Sequence, residues 1–420
     1  MPVLKILGAV SRELLAAFLL NFKVIPVYVI IILLVKAQYS RQIGLNTGHL
    51  KITRRKMWEI FQETIFFGVV AGFAAGFFII YAGIMLDVKI YEYLLMITAV
   101  MLLFDIRYVC LAYTGGILAL ASLVFKIPGI EVAPLLAMMA IIHFFEGLLI
   151  YARAGKDYIP VYIRSKQGIA GAFLTRRFWP VPLIFFAFSL QDYNTMITSH
   201  INSIAVDWKT FFTPAAIGTG AMILGLDCAV SILCYTDMAI TRRPERKSRE
   251  MGIQFLLYSI LLFFLAALAR NMYIFSIVGV IFAIGAHEAI VLCNRYREWH
   301  GTPMFTPVRR GIRVFDILPE SHAQKIGMEK GDIILSINGK DVQTEEGMAE
   351  ALSRFPTYVW IDAVNAKGEK KKYEYRCYPE GMNNLGVIII PRENEVTYNV
   401  EYFESYSILK NLVKRFRSVR

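Results

Sequence analysis

The chain has 420 residues, 56% of them hydrophobic and only 19% charged, with a mean hydropathy of +0.49. That balance excludes a fully soluble enzyme and a disordered, charge-rich chain. The formal charge of +12 is uneven: residues 1–304 hold 27 basic and 17 acidic side chains, residues 305–420 hold 18 and 16. A membrane part is therefore expected to precede a soluble part, and the basic excess does not read as a nucleic-acid footprint.

A span needs about 20 mostly apolar residues. Candidates run over Leu19–Lys36, Ile65–Leu86, Tyr91–Phe104, Tyr108–Phe125, Val132–Tyr151, Phe178–Leu190, Pro214–Thr236, Ile253–Ala269 and Met272–Leu292. The third and fourth are separated only by Asp105-Ile106-Arg107, so the expectation is an α-helical polytopic bundle of about 8–9 spans over residues 1–300. The first apolar run carries Lys23 and precedes no small-residue cleavage site, which predicts a retained anchor. The first 20 residues can alternatively lie along the interface as an amphipathic helix. Gly68, Gly72 and Gly76 recur every fourth residue, a spacing that lets helices approach closely within the bundle or between two copies.

Basic residues concentrate in alternate loops. The 36–64, 152–177 and 237–252 segments, with Arg107, Arg295 and Arg297, hold 20 Lys or Arg, and the intervening loops hold 4. Basic loops resist translocation, so this places them, and everything after residue 293, in the cytoplasm of a bacterial cell membrane. Nine spans would leave the N-terminus outside.

Ionisable groups within spans mark function by default. His143, Glu146, Asp227, His287 and Glu288 are the candidates, as a proton path or metal cluster, or as pairs satisfying one another between helices. A zinc protease needs two histidines one turn apart with a glutamate, as in H-E-x-x-H. His287-Glu288 lacks the second histidine, and His143 to Glu146 has the wrong order. Cys110, Cys228, Cys234, Cys293 and Cys377 show no metal-ligand spacing and read as reduced, small hydrophobes. No metal or cofactor is expected.

After Pro307 the pattern changes to short strands with turn signals. The run GIRVFDILPESHAQKIGMEKGDIILSINGKDV holds a strand, a short helix ending in Gly, a Gly-Asp pair, a second strand and an Asn-Gly turn. This run resembles PDZ domains, a small α+β fold, over 305–391. The resemblance implies capture of extended peptides, usually C-termini, by strand addition. Leu385-Gly386-Val387-Ile388 best matches the family's carboxylate loop, as expected if strand order is permuted as in bacterial PDZ domains. The groove would then face the helix carrying Glu345, Met348, Ala349 and Leu352, although a plain buried strand and core helix fit the same residues. The tail, 392–420, ends in a basic amphipathic segment, Tyr406–Arg420, suited to anionic lipid, an acidic partner or packing on the PDZ domain.

Several spans followed by a C-terminal PDZ domain resemble the MinJ family of cell-division topological determinants. That resemblance implies a non-enzymatic adaptor at septa or poles, bridging DivIVA-like and MinD-like division proteins, with membrane lipids and a second copy as further partners. Two alternatives stay open: a degenerate relative or regulator of intramembrane site-2 proteases, whose PDZ domains close with segments like LGVIIIP at 385–391, and a small-solute or ion transporter using the intramembrane polar residues.

Overall fold

The computed structural model describes residues 2–22, 24–44, 54–166, 168–189, 211–212, 223–354, 357–376 and 384–392. The predicted tail helix over 406–420 and the thiol of Cys377 lie outside them.

Four described helices are long and apolar enough to cross a membrane: α3 (Arg54–Ala82), α6 (Val132–Leu149, continued by a π turn to Ala154), α7 (Pro244–Ala269) and α8 (Tyr273–His300). A fifth exists if α1 (Pro2–Leu19) and α2 (Val24–Gly44), bent by 78° at the break between them, count as one span. Two shorter apolar helices, α4 (Val88–Phe104) and α5 (Leu111–Phe125), flank a single 3₁₀ turn, where the Asp105 carboxylate accepts from Arg107 N–H at 3.1 Å.

Two of the expected helical spans, Phe178–Leu190 and Pro214–Thr236, are β-strands over their described residues. β3 (Gly168–Ser189) and β4 (Ile223–Ala239) form one antiparallel hairpin in unbroken register from Phe173 opposite Ala239 to Ser189 opposite Ile223. β2 (Ile159–Ser165) pairs with the start of β3, and β1 (Met85–Asp87) lies parallel to its end. Hydropathy cannot distinguish a buried strand from a span, because both are continuous apolar runs. The distinguishing signal was Pro180 and Pro182, which would break a helix twice. The 152–177 segment, expected as a basic loop, is largely this sheet, and its Arg177 is buried in an ion pair with Asp157.

The glycine stripe packs on this strand. A Cβ at Gly68 or Gly72 would stand 2.3 Å from the carbonyl oxygens of Pro180 and Pro182, and one at Gly76 would stand 3.3 Å from Ile184. Four helical residues rise about 6 Å and two strand residues about 6.6 Å, so a four-residue stripe tracks alternate strand positions. The carbonyls of Pro180 and Pro182 face α3, and a strand residue's N and O share one side. The prolines' missing N–H groups therefore cost no bond to β4. Gly72→Ala is expected to destabilise the protein by about 1–3 kcal/mol, because backbone must move. In Gly285→Ala the new Cβ meets nothing within 4 Å. The thermal midpoints of the two purified variants should therefore move apart, with the second unchanged or raised.

The soluble part is a separate sheet of order β10-β5-β6-β8-β9, built from β5 (Ile312–Ile317), β6 (Ile333–Ile337), β8 (Tyr358–Val364), β9 (Lys370–Arg376) and β10 (Val387–Ile389), with β7 (Lys340–Asp341) paired to β6. Two helices, α9 (His322–Lys325) and α10 (Glu345–Arg354), complete it. Its own core includes Val314, Ile334, Ile337, Leu352, Ile361 and Leu385. Asn338 and Gly339 both take positive φ, 51° and 78°, the two-residue turn that the Asn-Gly pair predicts between β6 and β7.

Candidate functional site

Among the described residues the soluble sheet ends at β10, whose Ile388 and Ile389 are buried and whose Val387 is half-buried. β10 pairs with β5 on one side and is the last strand of its sheet. Gly386 O accepts from Leu318 N–H and Ile390 N–H donates to Arg313 O, so even-numbered residues bond β5. Val387 and Ile389 accordingly turn their backbone groups away from β5, which is the arrangement a captured strand requires.

The loop before β10 is locally constrained. Gly386 sits at φ +78°, and a Cβ there would stand 2.3 Å from Ser321 Cβ, so only glycine fits. Ala323 N–H donates to Leu385 O at 2.9 Å, tying the loop to α9. Asn384 Oδ1 accepts from Gly386 N–H at 2.7 Å, so a side-chain oxygen already occupies a donor of this loop.

The predicted groove residues divide between two environments. Met348 and Leu352 are buried with Leu385 and Ile389 in the PDZ core, whereas Glu345 and Ala349 of the same helix are exposed. Val387 is half-buried. Ile388 turns the other way, packing with Ile390, Phe305 and Phe315 against Phe173 of β3. Phe173 and Phe315 ring centroids are 4.8 Å apart, and Gly171 N–H donates to Phe305 O at 2.9 Å. Tyr162 Oη donates to Ile389 O at 2.7 Å, so the membrane part supplies a partner to the outward edge of β10. Neither Tyr162 nor Asn384 could be found from sequence, because each acts through contacts distant from any motif.

The Gly-Asp pair has a structural role. Asp332 is buried, and its Oδ2 accepts from Tyr373 Oη at 2.6 Å and Glu329 N–H at 2.9 Å. Burial, and then the bond to Asp332, push the Tyr373 phenol above its ordinary range. A group whose pKa is raised on folding contributes stability in full below its unfolded value, about 10, and loses it as pH rises beyond that value. Tyr373→Phe is expected to cost about 1.5–3 kcal/mol at neutral pH. It should also flatten the fall in PDZ-domain stability above about pH 10, as read by hydrogen exchange of β8 and β9 in the full chain.

The bundle holds a second polar locus. His143, Glu146 and His287 are buried and lie together with Cys110, while Glu288 accepts from Tyr113 Oη and pairs with Arg107 at 3.3 Å. His143 and His287 rings are 5.4 Å apart, and His143 Nε2 is 3.7 Å from Glu146 Oε2. Asp227 lies on β4 opposite Phe185, its Oδ1 accepting from Cys228 N–H at 2.7 Å, and is not part of the Cys110, His143 and His287 group. Part of the basic 237–252 segment is spent internally: Lys247 binds Asp237 at 2.6 Å, and Arg242 pairs with Glu250 and Glu298.

Comparison with known proteins agrees with the soluble fold. Residues 313–361 match the PDZ domain family. The chain is 22% identical over 267 residues to the cell division topological determinant MinJ of Bacillus subtilis, covering 60% of this chain and 59% of that protein. It is 26% identical over 128 residues to a probable MinJ of Lacticaseibacillus paracasei, covering 30% and 34%. A putative zinc metalloprotease of Campylobacter jejuni is 35% identical over 80 residues, 18% of this chain and 20% of that protein. A solved PDZ domain from an SdrC-like protein of Listeria monocytogenes is 13% identical, covering 20% of this chain and 92% of that chain with a TM-score of 0.17. The chain thus spans about a third of the Lacticaseibacillus relative and under two thirds of the Bacillus one. It is MinJ-like in sequence and carries a PDZ domain.

Proposed function

We propose that this chain is a non-enzymatic membrane adaptor that recruits division proteins through its PDZ domain. The observation that carries this reading is the outward edge of β10, preceded by a loop only glycine can make and mounted on a bundle with at least four span-length helices. Similarity over 267 residues to a cell division topological determinant supports division proteins as the partners, and DivIVA-like and MinD-like proteins are the proposed classes. The PDZ domain packs beside residues 240 and 171, in the same region as the basic 152–177 and 237–252 segments. Basic flanks favour the cytoplasm, so the groove would face it.

The test uses the full chain in detergent against peptides with free or amidated C-termini. Carboxylate-dependent binding is expected; equal binding of both forms, or of neither, would remove C-terminal capture from the account.

A degenerate relative or regulator of membrane metalloproteases is a second reading, favoured by the 80-residue similarity to such a protein and by the clustered histidines. Co-purification of the chain with a membrane metalloprotease, and a change in that protease's cleavage rate on adding the purified chain, would put it first.

A further inference from the structure

Three ligand atoms separated by long stretches of sequence converge within the bundle, and peptide capture uses none of them. Cys110 Sγ, at the start of α5, lies 3.2 Å from His143 Nε2 on α6 and 3.5 Å from His287 Nε2 on α8. All three atoms lie within 4.8 Å of one another. We propose that Cys110, His143 and His287 bind a zinc ion, with the buried carboxylate of Glu146 beside His143 as a nearby acidic partner.

The separations fit that ion. Zinc bound tetrahedrally at about 2.3 Å from sulfur and about 2.0–2.1 Å from nitrogen holds those two atoms about 3.5 Å apart. The hydrogen bonds on the far side of each ring fit as well. His143 Nδ1 lies 2.7 Å from Met139 O, which can only accept, so the proton sits on Nδ1 and Nε2 presents a lone pair. His287 Nδ1 lies 3.2 Å from Tyr113 Oη. Tyr113 gives its single proton to Glu288, so its oxygen accepts from His287 Nδ1–H. Both Nε2 lone pairs therefore point at one thiol, which owns one proton. Hydrogen bonding alone serves one of them; a cation on the thiolate serves both.

Glu146 adds an independent observation. It is 3% exposed, and its Oε2 has no hydrogen-bond partner among the described residues while lying 3.7 Å from His143 Nε2. A buried acceptor without a donor is costly, and a metal ion removes the cost. One thiolate and two imidazoles suit zinc rather than magnesium or calcium. A cavity of about 200 Å³ lined by Cys110, Glu146 and His287 adjoins these atoms and extends to Asp237, Lys247 and Glu298. Bound there, the ion would pin the start of α5 to α6 and α8.

The experiment measures metal in the full chain, purified in detergent with a histidine-free tag and then loaded with zinc or with cobalt(II). About one equivalent of zinc is expected. Cys110→Ser, His143→Gln and His287→Gln should each weaken binding about 10- to 100-fold. The cobalt form should show a thiolate-to-cobalt charge-transfer band with intense tetrahedral bands, and Cys110→Ser should lose the first. Uptake below about a tenth of an equivalent would overturn the proposal. So would a wild-type cobalt spectrum without the thiolate band, or undiminished zinc in Cys110→Ser. The cobalt spectrum is read on the wild type, so it decides the matter even if a variant fails to fold.

Discussion

Val387→Pro is expected to weaken capture of carboxylate-ended peptides by about 10- to 100-fold, since a hydrogen bond to a charged group is worth about 1.5–3 kcal/mol. The N–H of Val387 points away from β5, so proline there deletes a donor from the outward edge without breaking a ladder bond. Gly386→Glu should abolish capture altogether, but it also forces a side chain into a left-handed position against Ser321. The proline variant is therefore the more discriminating, and its near-ultraviolet circular dichroism should match the wild type. Undiminished binding by a folded Val387→Pro protein would move the peptide site off β10.

Glu298→Ala should be among the most damaging single substitutions, at about 3–5 kcal/mol, the usual cost of stripping one partner from a buried charged network. Glu298 is 2% exposed, and its Oε2 accepts from Ile240 N–H and Thr241 N–H, both at 2.7 Å. Its Oε1 pairs with Arg242 at 3.0 Å, and Lys247 stands 3.9 Å away. One carboxylate thus joins the end of β4, the turn into α7 and the last turns of α8. Met304 N–H donates to Ile240 O, so the same turn anchors the chain leading into the PDZ domain. By contrast, Arg246 pairs with Glu250 on the surface, and Arg246→Ala should cost about 0–1 kcal/mol. Thermal unfolding of the two variants in one detergent compares them directly; similar midpoints would show that the buried network does not brace the bundle.

Legibility in the sequence followed the range of the interactions. The PDZ domain was readable because its signals are local: Asn338-Gly339 demands positive φ, Gly331-Asp332 supplies a buried acceptor, and strands alternate in polarity. The strands β3 and β4 read as helical spans because hydropathy reports burial and not backbone geometry, and the span reading of 178–190 takes no account of Pro180 and Pro182. The glycine stripe was read as a helix-packing face, but the element against it is a strand, which no spacing within α3 could specify. Cys110 reads in the sequence as a small hydrophobe, and its approach to His143 and His287 is not legible there because it lies 33 and 177 residues from them. Ile388 was grouped with the groove, yet strand alternation turns it toward Phe173 while Ile389 enters the PDZ core.

The adaptor account is tested most directly by imaging a fluorescent fusion of the full chain, with and without Val387→Pro, in dividing Gram-positive rods. Enrichment at septa or poles is predicted for the wild type, with dispersal of its division partners in the variant. A uniform membrane signal for the wild type, or partner recruitment unchanged by Val387→Pro, would contradict the account.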